Sequence, residues 1–340
     1  MIFKQMIKAV GYRASYLMQY QSCLLNRIVS NAWIPILSLH RVSYDDNYFW
    51  PPLKPAVFND LLKYLKKHFE IVTFHEIEHV ICKKPKLVLS FDDGYYDFIE
   101  YAMPILKKNA VRVNQNIIPS QLLGEDPLWN IDLYDFLQAA PNSLIKEIRF
   151  INFDAKKFIK SKLDKLSLGL AIGQEIVKLT STDREYVIAF LKNNFFDKLD
   201  FYPKTRMIKL SEMNNVILEH EVGAHSYSHN SMGNESMNFF IDDFKKCQDF
   251  FQNNNFPKLD IYSFPNGSYR QEQIDYLKQN EINHILLVDD EYATLSSPYH
   301  RLNIAAFNRY EAIFQSLGIK AKIKSRNNYV NCTNQKSNSP

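Results

Sequence analysis

The strongest constraint on the fold is a repeated alternation of short apolar runs with longer amphipathic segments. The runs IPILSL (34–39), KLVLSF (86–91) and HILLV (284–288) are short and bounded by polar residues, as buried strands are. Helical patterns lie between such runs, and FNDLLKYLKKHF (58–69) is the clearest of them. Strands that alternate with helices predict βα units around a parallel sheet. We therefore expect an α/β fold.

The region from about 127 to 205 interrupts this alternation. Segments such as PLWNIDLYDFL and DREYVIAFLKNNF have helical patterns, and no convincing strand lies between them. We interpret the region as a helical insertion, because the strand pattern resumes at EVGAHS (221–226). The chain then divides into an N-terminal helical segment (1–33), a main domain with the insertion (34–324) and a disordered polar tail (325–340).

Composition and charge exclude several classes of protein. The 340 residues include 41 basic and 37 acidic ones, a net charge of +4, which argues against a dedicated nucleic-acid-binding protein. The chain has 4 cysteines, none of them in a CxxC pair, so neither a cysteine zinc site nor a disulfide scaffold is expected. Hydrophobic residues make up 46% of the chain, which is enough for a packed core.

The N-terminal segment is basic and amphipathic. Lys4, Lys8 and Arg13 interrupt its apolar residues, so we expect neither a cleaved signal peptide nor a membrane span. A cytoplasmic location follows as an expectation. Two interpretations of the segment remain open, because helical periodicity does not separate them. The favoured one is a helix that packs on the domain; the other is a helix on the inner membrane face.

The first group of residues with chemical potential is Asp92 and Asp93, at the end of the apolar run 86–91. Of two adjacent carboxylates, one can bind a metal while the other takes a proton from a water molecule. Gly94 permits a tight turn after them. By itself an Asp-Asp-Gly sequence favours a simple turn, because Asp-Gly is common in turns.

The second group is the pair His225 and His229. Their i, i+4 spacing predicts two imidazoles on one side of a helical turn, a frequent arrangement of metal ligands. Considered alone, the pair is as readily explained by two surface histidines. One carboxylate and two imidazoles together leave coordination positions for water and substrate, which indicates a catalytic metal site.

These groups carry a resemblance to a known family. SFDDG and HSYSH resemble the first two motifs of the polysaccharide deacetylases, the NodB-like members of carbohydrate esterase family 4. Further stretches are similar in order and spacing: LSLHRV (37–42), YSFPNGSY (262–269) and YHRLNI (299–304). The resemblance covers roughly residues 34–126 and 205–310.

The resemblance implies a fold and an activity. The fold is a distorted (β/α)7 TIM-like barrel, with the helical insertion between the first two motifs and the site at the carboxyl ends of the strands. The activity is hydrolysis of a linear amide C–N bond, which removes an N-acyl group, foremost N-acetyl, from a sugar of a bacterial-type surface polysaccharide or its precursor. Asp93, His225 and His229 match the family's metal triad, which usually holds zinc or another divalent ion. Asp92 matches the general base that acts on a metal-activated water.

The chain departs from the family at three positions, one of which is the stretch Val113-Asn114-Gln115-Asn116 after the first motif. The arginine that orients the base is replaced by Ser263, and Arg301 is the candidate to take over its role. The usual histidine that acts as general acid is not evident. His40 is favoured as a site residue in its place, and His300 is a further candidate. His284 opens an apolar run, so a structural role is favoured for it.

Five residues are assigned to substrate binding: Tyr95, Asn116, Trp129, Pro265 and Asn266. A backbone N–H near Asn266 is expected to stabilise the oxyanion of the reaction. Trp129, at the start of the insertion, is a candidate to stack on a sugar ring, although core packing is favoured for most aromatic residues there. For Asn116 a structural role is equally open.

Three functional hypotheses follow. The first is a sugar N-deacetylase that acts on a surface polysaccharide or its precursor. The second keeps the chemistry but makes the substrate a lipid-linked sugar at the inner membrane face, deformylated or deacetylated there, which suits a basic N-terminal helix. The third is a catalytically silent carbohydrate-binding protein. The retention of a base beside three metal ligands argues against the third hypothesis, because binding alone does not need that base.

Overall fold

The computed structural model describes residues 2–47, 49–125, 127–151, 153–159 and 164–321. The tail expected at 325–340 lies outside these residues. The strands are β1 (Ile36–Leu39), β2 (Glu70–Ile71), β3 (Lys86–Phe91), β4 (Asn114–Ile117), β5 (Arg149–Phe150), β6 (Phe153–Asp154), β7 (Glu221–Ala224), β8 (Ile261–Ser263), β9 (His284–Leu286) and β10 (Leu302–Asn303).

The α-helices of the described residues are α1 (Ile2–Leu17), α2 (Tyr20–Ser30), α3 (Pro55–His68), α4 (Met103–Lys108), α5 (Pro119–Leu122), α6 (Trp129–Ala139), α7 (Asn142–Ile145), α8 (Ala155–Phe158), α9 (Lys165–Val177), α10 (Ser181–Asn194), α11 (Met213–Glu219), α12 (Met237–Asn253), α13 (Gln271–Gln279) and α14 (Arg309–Ser316). Helix α12 shows why such segments are helical. The side chain of Ser236 caps its first turn by accepting a hydrogen bond from the Phe239 N–H, and Phe240, Phe244, Cys247 and Phe251 bury one face.

The main sheet is parallel and curls into a distorted barrel. Its strand order is β10-β1-β3-β4-β7-β8-β9, and β2 pairs with β3. The residues just before β10 also pair with β9, through a parallel bridge between Leu286 and Tyr299, so one segment contacts both ends of the sheet. The predicted α/β fold and TIM-like barrel are confirmed.

Side chains alternate between the two faces of the strands, as strand geometry requires. The outward set, which includes Leu37, Leu89, Tyr262 and Ile285, belongs to the large core beneath the helices. The inward set forms a separate apolar cluster, which we call the barrel plug: Ile36, Val88, Ile261, Leu286 and Tyr299, with Ile34, Val72, Phe74, Ile77 and Ala293. Polar residues in the same inward phase are also buried, namely Ser38, Ser90, Asn114, Asn116 and Ser263.

The region from about 127 to 205 has a hydrophobic core of its own. Residues of α6, α9 and α10, among them Phe136, Ile172 and Leu191, form this second cluster. The region also contains the antiparallel pair β5–β6, so the expectation of no strands there was wrong. Strands of two residues are too short to produce an alternating pattern in the sequence. The proposed domain boundaries stay a prediction.

The N-terminal helices pack on the domain through aromatic residues of α1. The ring of Tyr12 stacks on Phe314 with centroids 5.6 Å apart, and the ring of Tyr16 lies 5.2 Å from that of Tyr310. The opposite side of α1 exposes apolar residues, including Val10 and Leu17. Within the part of the chain that the structure describes, none of the helices combines the length and apolar character needed to cross a bilayer.

Candidate metal centre and active site

The structure brings Asp93, His225 and His229 together at the carboxyl ends of β3 and β7. The Oδ1 atom of Asp93 lies 3.4 Å from Nε2 of His225 and 3.3 Å from Nε2 of His229. All three side chains are buried, and their donor atoms lie within 4.8 Å of one another. Three donors that converge in this way could hold one cation.

The backbone around these ligands is strained. Asp93 has a φ of 75° and His229 a φ of 59°, in the left-handed region that residues other than glycine rarely adopt. Ser226, between the two histidines, has a φ of 56°. Conformations of this kind persist where the surrounding fold holds them, often at functional sites. The helical turn expected for His225 and His229 was wrong: they lie on an irregular loop whose left-handed residues bring the two rings to 5.0 Å.

Contacts outside the triad orient His225. Its Nδ1 lies 2.9 Å from the backbone carbonyl oxygen of Ser263, which can only accept a hydrogen bond. Nδ1 therefore carries the proton, and Nε2 presents a lone pair towards Asp93. Burial alone would lower the pKa of His225, but Asp92 and Asp93 outweigh it and raise the pKa.

Asp93 meets the requirements of a metal ligand. Burial alone would raise the pKa of this carboxyl, but the neighbouring imidazoles of His225 and His229 outweigh burial and hold the pKa well below its usual range. Its Oδ1 atom is buried, and no donor among the described residues makes a well-aligned hydrogen bond to it. A buried anionic oxygen beside two imidazoles fits a divalent cation, which would supply the missing partner.

Asp92 lies beside the triad and is held by Arg301. The two terminal guanidinium nitrogens of Arg301 donate to Oδ1 and Oδ2 of Asp92 at 3.0 Å and 2.8 Å. Asn116 Nδ2 also donates to Oδ1, at 2.7 Å. Burial alone would raise the pKa of Asp92, but Arg301 outweighs it and lowers the pKa to about 2. Asp92 is therefore ionised at neutral pH.

Ser263 lies at the position where the family arginine was expected. It contacts the guanidinium of Arg301, which in turn binds the carboxylate of Asp92. Its Oγ accepts a hydrogen bond from Arg301 at 2.8 Å and lies 3.4 Å from Oδ2 of Asp92. Arg301 also donates to Ser90 Oγ and to the backbone carbonyl of Leu287. Sequence reasoning did not find Ser90 or this use of Ser263, because an isolated serine in a strand gives no signal.

His40 follows β1 and borders the site. Its ring is partly exposed and meets the edge of Trp50, with centroids 5.2 Å apart. Burial lowers the pKa of His40, although Asp93 and Asp92 oppose this effect. Sequence reasoning missed Trp50, since a lone tryptophan in a loop predicts nothing about its neighbours.

The other two histidines considered as general acids, His300 and His284, make their contacts away from the carboxylates of Asp92 and Asp93. His300 pairs through Nδ1 with Asp289, and Glu291 lies 4.0 Å away. His284 opens β9 and so lies at the amino end of the parallel sheet, whereas the triad lies at the carboxyl end. A role as general acid is not supported for either by a contact with Asp92 or Asp93 among the described residues.

The residues assigned to substrate binding are spread around the site. Asn266 is exposed on the turn after β8 with a φ of 56°, and Pro265 is buried beside it. Tyr95 is only 2% exposed, and the guanidinium of Arg41 lies 5.2 Å from its ring centroid. Trp129 is partly buried against the core of the insertion region. Their binding roles stay predictions.

Comparison with solved structures places this fold among known deacetylases. A deacetylase of Streptococcus pyogenes, PplD, solved in complex with acetate, matches with a TM-score of 0.52 at 14% identity, over 84% of this chain and 98% of that one. IcaB from Ammonifex degensii matches with a TM-score of 0.53 at 13% identity, over 84% and 97%. At these identities the similarity shows a shared fold.

The sequence itself carries a family match. Residues 201–285 match the family model described as polysaccharide deacetylase, and this segment contains His225, His229 and Ser263. No curated protein matches the chain. Asp92, Asp93 and Arg301 lie outside the matched segment. The chain is therefore similar to the polysaccharide deacetylases, in sequence over residues 201–285 and in fold over most of its length.

Proposed function

We propose that this protein is a divalent-metal-dependent hydrolase that removes an N-acyl group, foremost N-acetyl, from a sugar of a surface polysaccharide or its precursor. The observation that carries the proposal is the buried Asp93–His225–His229 triad beside Asp92, whose carboxylate Arg301 holds with two hydrogen bonds. The family match supports sugar N-deacetylation and favours a hydrolase over a silent carbohydrate-binding protein.

Asp93, His225 and His229 would hold the ion. One carboxylate and two imidazoles suit zinc and leave coordination positions free. When bound, a divalent ion supplies Lewis acidity, which polarises the acyl carbonyl and lowers the pKa of water.

The proposed role of Asp92 follows from its charge and its fixed position. The carboxylate is ionised at neutral pH and can accept a proton from the attacking water. Arg301 and Asn116 determine its direction, because they engage both oxygens in a fully buried setting. Such fixed geometry is what lets a general base act without first reorganising.

Two further residues are proposed to act on the acyl group and on the leaving amine. A backbone N–H near Asn266, on the turn after β8, is proposed to stabilise the oxyanion. His40 is proposed to line the site, with Trp50 against its ring. Because its pKa is lowered, His40 is neutral at neutral pH and would donate a proton to the leaving amine only after being protonated itself.

The decisive experiment measures acetate and formate release from a panel of N-acetyl and N-formyl sugars, as monomers and oligomers. We expect wild type to release acyl groups, chelation to abolish release, and added zinc to restore it. Asp92→Asn should release none, while the matched control Asp290→Asn, on the loop after β9, should behave as wild type. Hydrolysis by the metal-free protein would refute the mechanism. Sugar binding without release in wild type would favour the silent binding protein.

A lipid-linked sugar is a second candidate substrate, and a specific observation favours it. Helix α1 packs through Tyr12 and Tyr16, and it turns Ile7, Val10 and Leu17 towards solvent. The exposed side chains of Lys8 and Arg13 lie on the same helix. Apolar residues accompanied by basic ones favour contact with an anionic membrane surface.

A further inference from the structure

A second group of potential ligands lies at the opposite end of the barrel. Glu221 opens β7, His284 opens β9, and Asp260 immediately precedes β8, the strand between them. Because these strands are neighbours and parallel, their first residues meet at the amino end of the sheet. His75, on the turn that follows β2, adds a fourth side chain.

Glu221 fixes the orientation of His75. Oε1 of Glu221 lies 2.6 Å from Nδ1 of His75, and the carboxylate also accepts the backbone N–H groups of Phe74 and His75 at 2.8 Å and 2.9 Å. With Nδ1 donating to this carboxylate, Nε2 points to Asp260, whose Oδ2 lies 2.8 Å away.

His284 completes the group from the inner side. Its side chain is only 8% exposed, and its ring centroid lies 5.5 Å from that of His75. Nδ1 of His284 is buried and has no hydrogen-bond partner among the described residues. One donor atom from each of His75, Asp260 and His284 lies within 4.8 Å of the other two.

We propose that His75, Asp260 and His284 form a second binding site for a zinc-like divalent transition-metal ion, with Glu221 orienting His75. A carboxylate that holds the distal nitrogen of a metal-binding imidazole is a recurring feature of such sites. Two imidazoles and a carboxylate suit zinc better than magnesium or calcium, which prefer all-oxygen ligands. The side chain of His75 is 53% exposed, so water can fill the remaining positions and the ion has a route in.

The inferred site is separate from the catalytic one. Glu221 opens β7 and His225 directly follows its last residue, four positions later, which corresponds to roughly 13 Å at about 3.3 Å per residue. The barrel plug includes Ile261 and Leu286, which lie on the strands between the two ends. An ion here would link the turn after β2 to Asp260, just before β8, and to His284, the first residue of β9. Its role would be structural.

The test uses the full chain with His225→Ala, which disables the triad at the catalytic end. The protein is stripped with a chelator and titrated with Co²⁺, followed by visible absorption, and with Zn²⁺ in competition with a chromophoric chelator. We expect one ion per chain. Adding Asp260→Asn or His284→Ala should abolish this binding, and adding Glu221→Gln should weaken it about 10- to 100-fold.

A matched control tests a third group of potential ligands among the described residues: Asp289, Glu291 and His300. Adding His300→Ala to the His225→Ala protein should leave Co²⁺ binding unchanged. Zn²⁺ should also raise the melting temperature of the His225→Ala protein but not that of the protein with Asp260→Asn added. If the His284→Ala protein does not fold, the nearly isosteric Asp260→Asn substitution provides the test of metal binding. The proposal is overturned if the His225→Ala protein binds no ion, or if binding survives Asp260→Asn. Neither outcome depends on deacetylase activity.

Discussion

Arg301 engages both carboxylate oxygens of Asp92, at 3.0 Å and 2.8 Å, and neither side chain has any exposed surface. The two residues are 209 positions apart in the chain. A buried two-point contact of this kind is strong and directional, and removing either partner leaves an uncompensated buried charge. The proposed base is therefore expected to depend on Arg301 for its charge state and for its direction.

Replacing Arg301 by Gln tests this dependence. We expect kcat to fall on the order of 100-fold or more, because the proposed base loses its orientation. Arg301 lowers the pKa of Asp92, so its loss raises that pKa. Activity requires the ionised carboxylate, so the acid limb of the kcat/KM profile should move to higher pH.

Three measurements distinguish loss of the orientation of Asp92 from general unfolding of the Arg301→Gln protein. Metal content should be unchanged, and Arg301→Lys, which keeps a positive charge, should recover part of the activity. The folded state should lose about 3–5 kcal/mol of stability, as measured by denaturant unfolding. Arg309→Gln, at an exposed arginine of α14, serves as the control. An unshifted acid limb in a folded Arg301→Gln protein would contradict the proposed role.

Removing one imidazole of the triad should disable the metal centre. His229→Ala is expected to bind one fewer divalent ion per chain than wild type and to lose at least about 100-fold in activity, because a catalytic ion needs its protein ligands. Metal analysis and acetate release measure the two effects. His68→Ala, at the end of α3, is the control. Unchanged metal content in His229→Ala would show that the triad does not hold the ion.

The stability of the ligand loop should depend on pH through Asp243. This buried carboxylate accepts the Tyr227 N–H at 2.9 Å, and Ser228 Oγ lies 3.3 Å from it. Burial raises the pKa of Asp243 from 3.8 to about 7. The unfolded chain therefore ionises this group first, so its contribution to stability is present below about pH 4 and is lost as pH rises to about 7.

Asp243→Asn should remove this pH dependence, since the amide oxygen can still accept the Tyr227 N–H. Relative to the variant, wild type should lose up to about 4 kcal/mol between pH 4 and pH 7, at about 1.4 kcal/mol per pKa unit. Denaturant unfolding of metal-free protein across this range measures the difference. Asp242→Asn, at the exposed neighbouring position, should keep the wild-type profile. Parallel profiles for wild type and Asp243→Asn would show that Asp243 titrates normally.

Contact with a membrane should depend on the exposed apolar side of α1. Wild type is expected to float with vesicles that contain anionic phospholipid, whereas Val10→Asp combined with Leu17→Asp should remain in the dense fraction. The control is Leu218→Asp, at an exposed leucine of α11. Flotation of the double variant, or no flotation of wild type, would remove the support for a lipid-linked substrate.

Local sequence determined the βα pattern and drew attention to four candidate residues of the site. Apolar runs such as 86–91 predict strands because a strand that is buried on both faces needs consecutive apolar residues. Asp92, Asp93, His225 and His229 could be proposed as site residues because each pair lies in a short motif directly after a strand, and because the two motifs together resemble those of a known family.

Tertiary structure alone decided how those residues are held. The bond of Arg301 to Asp92 depends on the strand order and register of the barrel, which bring residues 209 positions apart into contact. The left-handed backbone at Ser226 and His229, not a helical turn, brings the two imidazoles together. The group of His75, Asp260 and His284 likewise arises only when parallel strands align their first residues. Which side chains meet across a barrel depends on the order and register of its strands, and the spacing of residues within one segment does not reveal it.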